Sequence, residues 1–175
     1  MTTDTEKLFL SHRDIKHGSL DIIRKMNKDN WQPEVVVGIT RGGLLPAMYI
    51  SQWYTIPMYT VKIQLADSRG QHYDDATESA CDLSEDAFYG KNILIMDDIN
   101  DSGRTLNWLK KDWQSNSLPN DPRWDNVWHK TCKFASIVDK ESSEFTLDYY
   151  NIKMFPDNDQ WVVFPWETWW RTLND

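Results

Sequence analysis

The sequence has little of what marks the commonest nucleotide-binding and hydrolytic folds. Its 175 residues include seven glycines. These fall into neither a Gly-x-x-x-x-Gly-Lys-Ser/Thr loop nor a Gly-x-Gly-x-x-Gly turn, which excludes the P-loop and dinucleotide-fingerprint readings. No Gly-x-Ser-x-Gly elbow is present, and His12, His17, His72 and His129 show no metal-ligand spacing. Ordinary hydrolase classes therefore find no support, and each histidine reads as a surface or loop residue. Cysteine is scarce too. Cys81 and Cys132 lie far apart, and idle thiols in a reducing cytoplasm are favoured over a single disulfide. No apolar run approaches the roughly 20 residues that cross a bilayer. The first seven residues carry no apolar leader, so the chain reads as soluble and cytoplasmic. Positive charge is also short: 19 Lys and Arg stand against 27 Asp and Glu, a net −8. Such a surface disfavours binding to nucleic acid. A polyanionic ligand would need a cation or a local nest of N–H donors.

What is present is an alternation of apolar runs and helical patterns. Ser11 and Asp14 form a capping-box pair before a helix expected over 13–27, which carries Ile15, Leu20, Ile22, Ile23 and Met26. Val35 to Ile39 is a short β-branched run and reads as a buried strand. Thr40-Arg41-Gly42-Gly43 turns into a helix over 44–53, and a strand follows at 57–64. This order predicts a parallel α/β sheet with right-handed crossovers. Residues 66–89 are polar and acidic with faint periodicity, the character of an active-site lid. Ile93 to Met96 is a second buried strand, and helix 106–113 and strand 133–138 follow. Ten tryptophans complete the picture, with Trp161, Trp166, Trp169 and Trp170 crowded near the end. Core packing or an oligomer interface is one reading of this cluster, and the sharper one is that at least one of the four is a flat platform for a planar ring.

The chemistry concentrates where the second buried strand ends, in Asp97-Asp98-Ile99-Asn100-Asp101-Ser102-Gly103-Arg104-Thr105. Ligands of open α/β sheets bind beyond the carboxyl ends of the strands. A helix N-terminus there offers unpaired N–H groups and the positive end of a dipole. Gly103 permits close backbone approach, and Ser102 and Thr105 add hydroxyls, together a monophosphate cradle. Asp97 and Asp98 suit ribose hydroxyls or the water shell of Mg²⁺. Asp101, at the mouth of the cradle, is placed to take a proton from a substrate nitrogen.

The string from Ile93 to Leu106 resembles the phosphoribosyl pyrophosphate (PRPP) motif of type I phosphoribosyltransferases. Val35 to Gly43 resembles that family's pyrophosphate loop. Val138-Asp139-Lys140 and the stretch from Asp159 to Glu167 resemble the xanthine–guanine members. The resemblance implies an α/β fold with a mainly parallel central sheet flanked by helices. It implies one domain over 1–175, with a core at about 11–148 and a small C-terminal hood at about 149–175. It implies transfer of the phosphoribosyl group from PRPP to a 6-oxopurine, with Mg²⁺ as cofactor. By the same likeness, Thr40, Arg41, Gly42 and Gly43 hold pyrophosphate, with unusual peptide geometry near Arg41–Gly42. Asp97 and Asp98 hold the ribose hydroxyls and the metal shell, and Asp101, the catalytic residue, faces purine N7. Ser102, Gly103, Arg104 and Thr105 hold the 5′-phosphate. Lys140 donates to the purine O6, Trp161 stacks on the ring, and main-chain groups near Val162 and Glu167 read its 2-position. A Lys ammonium is a donor only, so it favours a 6-oxo over a 6-amino group. The departures are Ser102 in place of Thr, the polar Asn100, and a lid lacking the usual Ser-Tyr pair, for which Tyr73 is the substitute. A non-catalytic PRPP-binding regulator, or a transferase for another base, stays open beside this reading. The tryptophan-rich tail suggests a homo-oligomer, dimer or tetramer.

Overall fold

The structure, a computed structural model, describes residues 6–63, 78–116, 118–119, 121–167 and 169–170. Two short strands meet first. β1 (Lys7–Phe9) was invisible in the sequence, because three residues carry no measurable period. α1 (His12–Lys28) follows, opened by the expected capping box: Asp14 N–H donates to Ser11 Oγ at 3.2 Å and Ser11 N–H to Asp14 Oδ2 at 2.8 Å. Hydrogen bonding to Ser11 holds the Asp14 carboxyl below its usual range.

β2 (Val35–Thr40) and β4 (Ile93–Asn100) form the centre of the molecule. Their unbroken apolar runs are buried on both faces, as parallel strands require. Val35, Val37, Ile39, Ile93 and Ile95 enter one core, while Val36, Leu94 and Met96 enter the other. With β3 (Met58–Lys62), β5 (Cys132–Lys140) and β6 (Tyr149–Met154) they make a five-stranded sheet in the order β3-β2-β4-β5-β6. Every neighbouring pair in it is parallel. α1 and α2 (Leu44–Tyr54) cover one face, and α3 (Glu78–Phe88) and α4 (Arg104–Asn116) cover the other. The expected α/β class, with a mainly parallel sheet between helices, is what the chain adopts.

β2 leads outward to β3, whereas β4 lies on the opposite side of β2. The order reverses between β2 and β4, and such a reversal opens a crevice at the strands' carboxyl ends. Both motif-bearing turns, after Thr40 and after Asn100, leave the sheet there.

Three expectations change. Residues 64–77, including His72 and Tyr73, lie outside the described residues, so half of the expected 66–89 lid does too. The other half is not a lid: α3 packs Leu83, Ala87 and Phe88 into the core. β6, assigned from sequence to the start of the hood, is an edge strand of the central sheet. The hood is instead a parallel pair of β1 with β7 (Trp161–Val163), in register Lys7 with Trp161, so both ends of the chain build it.

The tryptophans divide as composition suggested. Trp113 and Trp124 are fully buried, and Trp124 stacks on Trp128 with centroids 5.1 Å apart. Trp161, Trp169 and Trp170 stand exposed. Cys132 is a free, buried thiol whose pKa is pushed up by burial, an inert group. The side chain of Cys81 lies outside the described residues. No helix among the described residues is long and apolar enough to cross a membrane.

Candidate active site

The crevice between β2 and β4 is a cleft of about 840 Å³. Its floor is the acid pair. Asp97 and Asp98 sit near the end of β4, where the flanking strands bury the first and half-bury the second. Asp97 is only 9% exposed. The carboxylates are fixed by main chain: Asp98 N–H donates to Asp97 Oδ1 and Ile99 N–H to Asp98 Oδ1, each at 2.9 Å. Burial drives both pKa values upward. The neighbouring Asp98 charge adds to this for Asp97, and Glu167 from the hood side adds to it for Asp98.

One wall is the turn after β2. A Thr40–Arg41 cis peptide lies one bond before the place where unusual geometry was expected. The glycines are needed for contact rather than for a left-handed backbone. A Cβ on Gly42 would lie 1.7 Å from Asp98 Oδ2, and one on Gly43 would lie 2.2 Å from the Met96 carbonyl. The turn therefore rests directly on β4 and its acids. Thr40, Arg41 and Gly42 line the cleft, while Gly43 is the seat beneath them.

The opposite wall is the turn into α4. Gly103 adopts φ +81°, and a Cβ there would lie 2.6 Å from the Phe145 nitrogen. Asn107 N–H donates to the Gly103 carbonyl at 3.0 Å, which starts the helix and leaves the first-turn amides facing the cleft without helical partners. Asp101, Ser102, Gly103, Arg104 and Thr105 all line the cleft. The polar Asn100 has a structural reason. It is buried, and its amide donates to Asp139 Oδ1 and to the Phe145 carbonyl, both at 2.8 Å. Ser143 Oγ donates back to it at 2.8 Å, and Glu144 N–H reaches the Ser102 carbonyl at 3.2 Å. Asn100 thus ties the 101–105 turn to the strand-end loop behind it.

The third side is the hood, where the outcome is mixed. Lys140, the last residue of β5, reaches Asp101 Oδ1 at 2.9 Å and Asp159 Oδ1 at 2.8 Å. Trp161 is 63% exposed, and neither it, nor Val162, packed in the core, nor Lys140 itself is among the residues lining the cleft, which Lys140 meets only through Asp101. The indoles that do line it are Trp166 and Trp170. Trp166 is stacked on Phe164 at 4.9 Å and 9°, and Glu167 N–H closes the turn onto the Phe164 carbonyl at 3.0 Å. His12, Leu45 and Glu167 also line the cleft. His12 escaped sequence reasoning because a helix's first residue carries no period. Only the hood's position across the cleft makes it matter.

An open parallel sheet with an acid pair on the cleft floor and a glycine turn on either wall defines a class. It is that of α/β proteins built to hold a phosphorylated sugar at the sheet's switch point. Within that class, the chain belongs to the phosphoribosyl transferase domain family, whose pattern matches residues 7–171. It is similar to the xanthine-guanine phosphoribosyltransferase of Cereibacter sphaeroides, at 31% identity over 79% of this chain and 72% of that protein. It is also similar to the hypoxanthine-guanine phosphoribosyltransferase of Schizosaccharomyces pombe, at 24% identity over 94% of this chain and 90% of that one. Among solved structures, the Helicobacter pylori xanthine-guanine-hypoxanthine phosphoribosyltransferase shares the fold, with a TM-score of 0.65 at 19% identity over 97% of this chain and 98% of that one.

Proposed function

We propose that the chain transfers the 5-phosphoribosyl group of PRPP to a 6-oxopurine (guanine, xanthine or hypoxanthine), releasing pyrophosphate and making a nucleotide for purine salvage. One observation carries this reading. The phosphate turn at 101–105 and the turn at 40–43 stand on opposite walls of one cleft, with Asp97 and Asp98 between them. That arrangement suits a sugar with a phosphate at one end and a pyrophosphate at the other.

The residues divide the work. First-turn amides of α4, with Ser102 and Thr105, hold the 5′-phosphate, and the Arg41 turn holds the departing pyrophosphate. The base nitrogen joins C1 of the ribose as the bond to pyrophosphate breaks, through a state with oxocarbenium character of the kind met in other anomeric cleavages. Asp101 accepts the proton that the ring nitrogen gives up, Lys140 donates to the 6-oxygen, and an indole covers the ring. Trp161 is the indole suggested by family likeness, and Trp166 is the one suggested by position on the cleft. Catalysis is alignment plus stabilisation of charge on the leaving group.

Mg²⁺ fits this site. Two carboxylates side by side, one buried and one half-buried, with raised pKa values are short of positive charge, and Mg²⁺ takes one or two carboxylates together with waters and substrate oxygens. Asp98 and Asp97, directly or through water, would hold it. When bound it neutralises charge on the pyrophosphate and the ribose hydroxyls.

We further propose a cytoplasmic homo-oligomer, dimer or tetramer, supported by the exposed Trp169, Trp170 and Phe9.

The deciding assay is pyrophosphate release from PRPP and Mg²⁺ with each nucleobase in turn. Turnover is expected with 6-oxopurines and little with adenine or pyrimidines. PRPP binding without turnover on any base makes the chain a regulator instead. Asp101→Asn should lower kcat by about 100-fold or more while PRPP binding is retained. Unchanged turnover would remove Asp101 as the base.

A further inference from the structure

Lys140 is held by a pair of acids that come from different parts of the molecule. Asp101 belongs to the phosphate turn. Asp159 follows a one-turn 3₁₀ helix, Pro156–Asn158, and precedes β7 of the hood. The ammonium spans them at 2.9 and 2.8 Å, and the Lys140 side chain is only 16% exposed. Of the three, only Asp101 is among the residues lining the cleft; Lys140 stands directly behind it, and Asp159 behind Lys140. An ammonium has three protons and no acceptor lone pair. With two protons committed to carboxylates, the third remains for a ligand.

We propose that Asp159 is a positioning residue for base selection: it keeps the Lys140 ammonium in place for the purine 6-oxygen when Asp101 turns to the ring nitrogen. This rests on the transferase reading above and deepens it. A lysine paired with Asp101 alone would lose its only anchor at the moment the base arrives. It would then swing out on its flexible stem or stay largely buried without a counter-charge. With Asp159 as a second anchor, the lysine keeps one carboxylate throughout, and Asp101 is free for proton transfer.

The electrostatics agree. Burial works against the charged lysine, but hydrogen bonds to Asp159 and Asp101 outweigh it and lift its pKa above the usual lysine value. Those are the charges that act on it. Met154, its register partner on β6, is apolar, and the preceding Asp139 is engaged by Asn100 and by Lys153. A protonated lysine presents donors only, so it rewards a 6-oxo group and leaves a 6-amino group facing like donors. Asp159 thereby contributes to discrimination without touching the base.

The test compares wild type, Asp159→Asn and Asp159→Glu with PRPP, Mg²⁺, hypoxanthine and guanine. For Asp159→Asn the KM of the purine should rise about tenfold, as loss of a charged hydrogen-bond partner implies. The KM of PRPP should stay within about twofold of wild type, because the phosphate turn is untouched. Asp159→Glu should restore most of the purine KM. On the basic side, kcat/KM for the purine should fall at lower pH in Asp159→Asn. NMR titration of Lys140 Cε in the ligand-free protein should show the same downward shift. A wild-type purine KM together with an unmoved Lys140 titration in Asp159→Asn overturns the proposal. So does an equal loss in both KM values, which would mark a purely structural bridge between hood and core. Absence of turnover in wild type on every base is a different result: it removes the transferase reading, while the NMR arm still reports whether Asp159 holds Lys140.

Discussion

The end of the cleft proposed to hold phosphate (the phosphate end) and the hood end are built by opposite strategies. At the phosphate end a single run, Asp97 to Thr105, supplies acids, hydroxyls and amides in consecutive positions, and the main chain does much of the holding. At the hood end Lys140, Asp159, Trp166, Glu167 and His12 come from β5, two stretches near the C-terminus and the start of α1. Backbone recognition needs a short segment of fixed shape, so it is written locally. Recognition by side chains needs several vectors to converge, so it is gathered from distant segments. The first arrangement tolerates almost no added atoms, and the second tolerates graded change. Mutations should therefore separate the two ends by the size and the kind of their effects.

The largest effect should come from Gly42→Ala. The new Cβ would fall 1.7 Å from Asp98 Oδ2, so the pyrophosphate turn or the acid floor must shift. A displacement of that order should cost about 100-fold in kcat/KM for PRPP. Affinity for the purine should barely change, and circular dichroism should remain that of a folded protein. A mild effect, below about tenfold, would mean that the wall is as adaptable as the hood, and the contrast would collapse.

Next is Lys140→Gln at the other end. The KM for 6-oxopurines should rise about tenfold, since a neutral amide replaces a charge-assisted donor. Discrimination against adenine should narrow, because Gln offers an acceptor as well as donors. PRPP kinetics should hold steady. Base-panel kinetics checks all of this in one series, and a selective loss of PRPP affinity would count against the proposed division of labour.

These contrasts explain how far the sequence could be read. That the acid pair, the turn at 101–105 and the turn at 40–43 lie together on one cleft was legible, since contiguous residues after a buried apolar strand leave few alternatives. The central sheet was legible for the same reason. α3 was missed because its acidic composition hides the few buried positions, Leu83, Ala87 and Phe88. β1 was missed because three residues leave no pattern, and with it went the fact that the hood is built from both ends of the chain. The cleft-lining positions of His12 and Trp166 depend on that hood, so no local signal announced the first. The second was visible only as part of a tryptophan-rich string whose most prominent member faces outward.

A smaller effect sharpens the phosphate end by separating function from stability. The pKa values of Asp97 and Asp98 are raised above the usual 3.8, chiefly by burial. A carboxyl with a raised pKa in the folded state favours folding fully below its unfolded pKa, and that contribution is lost as pH climbs through the folded pKa. Without divalent cations, Asp97→Asn should match wild type in stability near pH 4 and become more stable than it toward neutrality. The gain should be roughly 1 kcal/mol, or about 2–4 °C in Tm. Activity should fall in the same variant. Thermal melts at several pH values, with and without Mg²⁺, measure this, and Mg²⁺ should close the gap by stabilising wild type alone. A variant less stable than wild type at every pH would mean that the acids support the fold rather than burden it.

The smallest effect concerns which indole would cover the base in the proposed reaction. Trp166 lines the cleft and is braced flat against Phe164, so its plane is already set. Trp161 is 63% exposed on β7 and must turn inward to reach a ring. Stacking of one base on one aromatic side chain is worth roughly 1–3 kcal/mol, and a platform that another residue can partly replace should sit at the low end. Trp166→Ala should therefore raise the purine KM by about fivefold, with kcat and the PRPP KM nearly unchanged. Trp161→Ala should do less if the hood is rigid, and more if base binding draws the β1–β7 pair over the cleft. Fluorescence of a Trp161→Phe variant against wild type separates these outcomes, because only a closing hood moves Trp161 from water to a stacked, quenched position. Closure would make the hood end adaptive in the sense of the comparison. Its absence would make the braced Trp166 the preformed counterpart of the phosphate turn, and the two ends would then differ in how they are encoded but not in how rigidly they are held.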